Sequence, residues 1–86
     1  MSLSTSPDVL AAHLSGEAVL LNLEDKSYYR LNETAAVVWA GFERGDDRAT
    51  ILASLLEAYE VDAADAEREM NSVIDEMRSR RLLIGS

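Results

Sequence analysis

The sequence predicts an α+β fold in which short strands come first and three helices follow. Three observations carry this expectation. Between Ala18 and Leu31 two short apolar or aromatic runs flank a polar connection. After Leu31 the apolar spacing lengthens from two residues towards 3.6. From there onward Asn, Asp and Gly stand where helices begin and end.

The elements follow in order. Val9–Leu14 is a candidate strand that stops at the turn signal Ser15-Gly16. The run Ala18-Val19-Leu20-Leu21-Asn22-Leu23, the connection Glu24-Asp25-Lys26-Ser27 and the run Tyr28-Tyr29-Arg30-Leu31 read together as a β-hairpin. Asn32 is suited to cap a helix from Glu33, with Ala35, Val38, Trp39 and Phe42 on its apolar face and Gly45 at its end. Asp46 or Asp47 caps a second helix that carries Ile51, Leu52, Leu55, Leu56 and Tyr59. Asp62 caps a third, with Asp65 three residues on in a capping-box-like arrangement. Ala66, Met70, Val73, Ile74 and Met77 line this helix, which is expected to reach about Arg80. Leu82-Leu83-Ile84 then docks on the core or adds a strand. A hairpin this short is not stable alone, so it packs one face on the helices and leaves the other face or an edge available.

All 86 residues are expected to form one domain, with a core spanning about residues 9–84. A chain of this size buries only about 60–65% of its unfolded surface, which leaves little room for a deep substrate cavity. Sixteen acidic against eight basic residues give a net charge of −8. That charge opposes binding to nucleic acid or an anionic membrane. No cysteine is present, so disulfides, thiol nucleophiles and thiolate metal sites are excluded. Neither a signal peptide nor an apolar run of about 20 residues is visible, and a soluble, cytoplasmic protein is expected.

The search for chemistry finds little. His13 is the lone histidine, with no second metal ligand near it in sequence. Gly41 and Gly45 are isolated and form no phosphate loop. Asp46-Asp47 belongs to a helix cap and Asp75-Glu76 to a solvated helix face. Trp39, Met70 and Met77 read as core residues. The cluster Arg78, Arg80 and Arg81 complements the C-terminal end of the third helix, or offers a local positive spot to an acidic segment. Tyr28–Leu31 is more informative. If this strand lies at a sheet edge, its unpaired backbone can accept a further strand from a peptide.

Tyr28-Tyr29-Arg30-Leu31-Asn32-Glu33-Thr34-Ala35 followed by Val38-Trp39 resembles the strand-to-helix signature of the PqqD-like family, the precursor-peptide recognition elements. Gly16-Glu17 before Val19-Leu20-Leu21, the link Leu56–Asp62 and the ending Leu82-Leu83-Ile84 fit the same pattern, which covers about residues 9–84. Arg81 departs from it, because the family often has glycine there.

The resemblance implies a winged-helix-like fold, with a three-stranded antiparallel sheet followed by three helices. It also implies that the leader of a ribosomally made precursor peptide adds as a strand beside Ser27, Tyr28, Tyr29, Arg30 and Leu31, against the third helix. Asn71, Ile74, Arg78 and Arg81 share one side of that helix by spacing and are expected to form the groove wall. Leu31 and Tyr29 are expected inward, with Tyr28 and Arg30 nearer the peptide. The implied partners are the precursor peptide and a separate modifying enzyme, such as a leader peptidase with a cyclase or a radical enzyme. No cofactor or metal is required, and a homodimer is left open. Two alternatives stand beside this one: a winged-helix DNA-binding regulator and a non-catalytic structural subunit. Against the first, the third helix carries Asp65, Glu67, Glu69, Asp75 and Glu76 against Arg68, Arg78 and Arg80.

Overall fold

The computed structural model describes residues 3–85. The element order is β1 (Ser4–Thr5), β2 (Val9–Leu14), β3 (Glu17–Asn22), β4 (Ser27–Leu31), α1 (Glu33–Glu43), α2 (Arg48–Ala58), α3 (Ala63–Ser79) and β5 (Leu83–Ile84). Strands β2, β3 and β4 form an antiparallel sheet in that order, and β1 pairs with β5 as a separate two-stranded clasp. The three-stranded sheet followed by three helices is the expected α+β, winged-helix-like arrangement.

Two turns fix the sheet register. Ser15-Gly16 links Leu14 to its partner Glu17, with Gly16 at φ 71°, where a side chain would be strained. Residues 23–26 link Asn22 to Ser27, so Leu23 belongs to the loop rather than to the strand. Within that loop Asn22 Oδ1 accepts from the Glu24 N–H and Asp25 Oδ1 from the Ser27 N–H. The second bond holds the Asp25 carboxyl below its ordinary pKa. In β3 the side chains of Ala18, Leu20 and Asn22 are buried, while those between them are only half-buried. Ala18 and Leu20 face the helices, as do Tyr29 and Leu31 opposite them in β4.

The helices bury one shared core. Val38, Trp39 and Phe42 of α1, Ile51 and Leu55 of α2, and Met70, Ile74 and Met77 of α3 meet Ala18, Leu20 and Leu31 of the sheet. Trp39 is buried as expected of a core anchor. Its Nε1 meets no acceptor among the described residues, a cost of about 1–3 kcal/mol that its packing must offset. Asn32 caps α1 through the Ala35 N–H at 2.9 Å, and Asp47 caps α2 through the Thr50 N–H at 2.9 Å. That bond lowers the Asp47 pKa, whereas Asp46 pairs with Arg44. The capping box expected at α3 does not form. Asp62 occupies the cap position without a side-chain hydrogen bond, and Asp65 pairs with Arg68.

Both long reversals are Schellman closures. After α1, Gly45 at φ 83° donates to Phe42 O and Asp46 to Gly41 O. After α3, Arg81 at φ 60° donates to Arg78 O and Leu82 to Met77 O. Arg81 thus occupies a position that favours glycine, which gives its departure from the family pattern a physical meaning. The closure turns the chain back, burying Leu82 and Leu83 and pairing Leu83–Ile84 with Ser4–Thr5. The tail therefore both docks and adds a strand. The packed chain also begins before residue 9, since Leu3 joins the core. Neither β1 nor this contact was expected, because two residues carry no periodic signal.

Two stability predictions follow from the backbone. Arg81→Gly relieves a left-handed residue and gives up only an exposed ion pair, so it should stabilise the fold by about 0.5–1 kcal/mol. Thermal denaturation should show a Tm higher by about 3–6 °C. Gly41→Ala should act oppositely, because a Cβ there would stand 2.5 Å from Ile51 Cγ1 where α1 crosses α2. We expect a loss of about 1–3 kcal/mol in urea denaturation.

Candidate functional site

Strand β4 pairs with β3 on one side only, so its other edge is open among the described residues. The alternation of an antiparallel ladder, counted from the hairpin at Ser15-Gly16, turns the backbone of Tyr29 and Leu31 towards β3. It leaves the N–H and C=O of Tyr28 and Arg30 aimed outward. An unpaired row of this kind is a template for a further strand.

The edge borders a groove of about 350 Å³ between β4 and α3. Leu31, Ala35, Met77 and Leu82, all buried, lie beneath it. Val73 and Tyr29 form half-buried sides, and Glu76 and Arg80 form the rim on α3. Arg80 Nε donates to Glu76 Oε1 at 3.1 Å, and its guanidinium carbon lies 5.0 Å from the centre of the Tyr29 ring. This cation–π contact ties the helix rim to the strand. The groove is therefore apolar below, charged at the rim and open along one strand edge. Such an arrangement suits an extended peptide that contributes backbone hydrogen bonds and alternate side chains.

The expected site residues divide into two groups. Tyr28, Tyr29, Arg30 and Leu31 all border the groove, with Tyr29 and Leu31 inward as anticipated. Tyr28 and Arg30 offer their backbone to the open edge, but their side chains project from the opposite face, where Arg30 Nε pairs with Glu17 Oε1 at 2.9 Å. Ser27 sits at the hairpin turn and does not line the groove.

The helix wall requires correction. The groove face of α3 is Val73, Glu76, Met77 and Arg80 rather than Asn71, Ile74, Arg78 and Arg81. The two sets differ by a rotation of about 100°, one residue of helix. Ile74 points into the core and is fully buried. Asn71 accepts a hydrogen bond from Arg48 Nη1 of α2 at 2.7 Å, and Arg78 is exposed away from the groove. Arg81 borders a neighbouring depression with Glu24 and Asp25, and its Nη1 reaches Glu24 Oε1 at 3.5 Å. Helical spacing identifies residues that share a side but not which side meets β4. The stripe Val73, Met77 and Arg80, apolar then basic, was the available signal.

Nothing in the groove forms a nucleophile–base pair, and no group of three His, Cys, Asp or Glu side chains is placed to hold a metal among the described residues. His13 pairs with Glu43 at 2.9 Å on the surface. No helix among the described residues is long and apolar enough to cross a membrane.

Comparison with known proteins places this geometry. The family model described as coenzyme PQQ synthesis protein D (PqqD) matches residues 17–83. The chain belongs to the PqqD family. Two solved structures resemble this PqqD-family chain over nearly its full length. One is TbiB1 in complex with the TbiA(beta) leader peptide, at TM-score 0.91 and 28% identity, covering 96% of each chain. The other is a lasso peptide synthetase B1 complexed with the leader peptide, at TM-score 0.87 and 25% identity, covering 99% of this chain and 100% of that one. No curated protein sequence matches the chain.

Proposed function

We propose that this PqqD-family chain is a non-catalytic binding module of a lasso-peptide pathway. It holds the leader of a ribosomally made precursor as a strand added to β4 and presents it to a separate enzyme. The observation that carries this reading is the open β4 edge set beside an apolar groove. The outward backbone of Tyr28 and Arg30 supplies the hydrogen bonds. The space over Leu31, Met77 and Leu82 receives the side chains that face the helices. Both solved relatives are complexes with a leader peptide, and one of them is a lasso peptide synthetase B1, which favours the lasso pathway over a radical-enzyme one. A module acting on a ribosomally made precursor would work in the cytoplasm.

A DNA-binding role is disfavoured on charge. The carboxylates of α3, at Asp65, Glu67, Glu69, Asp75 and Glu76, are all exposed and would face phosphate if this helix entered a groove.

Titration of the labelled leader peptide tests the proposal. Saturable binding below tens of micromolar is expected, and its absence with the true precursor sinks the reading. Arg30→Pro removes an outward donor at the edge and should weaken binding about tenfold, or about 1.4 kcal/mol. Val73→Asp, which places a charge in the groove, should do the same, whereas Asn71→Ala should leave affinity within about twofold. A folded Arg30→Pro variant with undiminished affinity would move the binding edge elsewhere.

A further inference from the structure

We propose that Arg80 is a specificity residue of the groove, and that it selects a carboxylate at one position of the leader, two residues after an apolar anchor. The proposal rests on the leader-binding reading above.

The register of an added strand follows from β4. Tyr28 and Arg30 turn their backbone outward, so a leader residue opposite either one exchanges hydrogen bonds with it. Leader residues opposite Leu31 and Tyr29 then carry their side chains on the same face as those two, towards the groove. Both strand pairs of this sheet are antiparallel. A leader added in the same sense meets Leu31 first and Tyr29 two residues later.

These two inward positions have different surroundings. Leu31 and Ala35, joined by the first turn of α1, are both buried in the groove floor. A side chain opposite Leu31 enters apolar surroundings, where a charge loses water without gaining a partner. Tyr29 instead carries the Arg80 guanidinium 5.0 Å from its ring centre, within reach of a side chain opposite it. A guanidinium has five N–H donors in a planar fork that matches a carboxylate. Glu76 Oε1 takes the Nε donor at 3.1 Å and Tyr29 engages the group from one side, which leaves donors of Nη1 and Nη2 for a second carboxylate. Glu76 competes weakly, because its side chain is 66% exposed. The other acids at this end have partners: Asp25 accepts from the Ser27 N–H, and Glu24 lies 3.5 Å from Arg81. On the outer face Arg30 is neutralised by Glu17 at 2.9 Å. Elsewhere the leader meets a chain of net charge −8, which favours Lys over Glu. The charge preference should therefore change sign where the leader passes Arg80.

The test uses the full chain and synthetic leader peptides of its precursor in which Glu or Lys replaces one residue at a time. Affinities are read by fluorescence anisotropy for the wild type, Arg80→Glu, Arg80→Gln and Glu76→Gln, with folding checked by circular dichroism. In the wild type we expect one leader position at which either charge lowers affinity at least about tenfold. Two residues C-terminal to it, Glu should bind at least about fivefold tighter than Lys. Arg80→Glu should invert that preference at this position and nowhere else. Glu76→Gln should tighten the Glu peptide about twofold, whereas Arg80→Gln should loosen it. A merely structural Arg80–Glu76 pair makes both variants weaken binding alike, which overturns the proposal. A scan with no Glu-preferring position, a spacing other than two, or a preference that survives Arg80→Glu overturns it as well. Should Arg80→Glu not fold, the opposite effects of Glu76→Gln and Arg80→Gln decide. Failure of the wild type to bind the unmodified leader is a separate result, which removes the underlying reading instead.

Discussion

A sheet of three strands, none longer than six residues, cannot bury enough apolar surface to stand alone, so its inner face must be covered by the helices. Ala18, Leu20 and Leu31 supply that face, and Val38, Trp39, Ile74 and Met77 close over it. Each large apolar side chain buried there contributes about 1.5–3 kcal/mol. The cover does not stop where the sheet does. One flank of α3, at Val73, Glu76 and Arg80, continues past the edge of β4 and has no strand beneath it. The groove is this overhang, produced by the mismatch between a three-strand sheet and the helix lying on it.

Closing the overhang from below depends on a single turn. The reversal after α3 sends Leu82 under the groove and lets Leu83–Ile84 pair with Ser4–Thr5. It requires Arg81 to adopt a left-handed backbone, an unfavourable state for a residue with a Cβ. Burial of Leu82 and Leu83 offsets that cost. Arg80, just before this turn, lies over Tyr29, so a rim residue and a floor residue of the groove stand only two positions apart in the chain.

Much of this was legible in the sequence because the signals were local. The cap at Asn32, the stop at Gly45, the turn at Ser15-Gly16 and the short apolar run from Ala18 each arise from a few neighbouring residues. Tyr29 and Leu31 could be assigned inward because the strand's period fixes them once Leu31 is taken as core. What escaped was set by packing at long range. The orientation of α3 about its own axis depends on where β4 and α2 lie. Asn71 turned to Arg48, Ile74 turned to the core, and the groove face fell one residue away from the expected set. The role of Gly41 likewise depends on the close approach of Ile51 from another helix. The β1–β5 clasp joins dipeptides almost eighty residues apart, and neither signals a strand by itself.

Leu31, Met77 and Leu82 belong at once to the hydrophobic core and to the floor of the groove. A peptide seated there extends the core itself, so occupancy and global unfolding are thermodynamically linked. Divergence among such modules is then constrained unequally. Replacement of a floor residue alters ligand preference and fold stability together. The rim positions Glu76 and Arg80, both exposed, can change what is recognised while leaving the folded state nearly untouched. Selection for a new ligand would therefore act first at the rim, and the floor would persist as a shared apolar base.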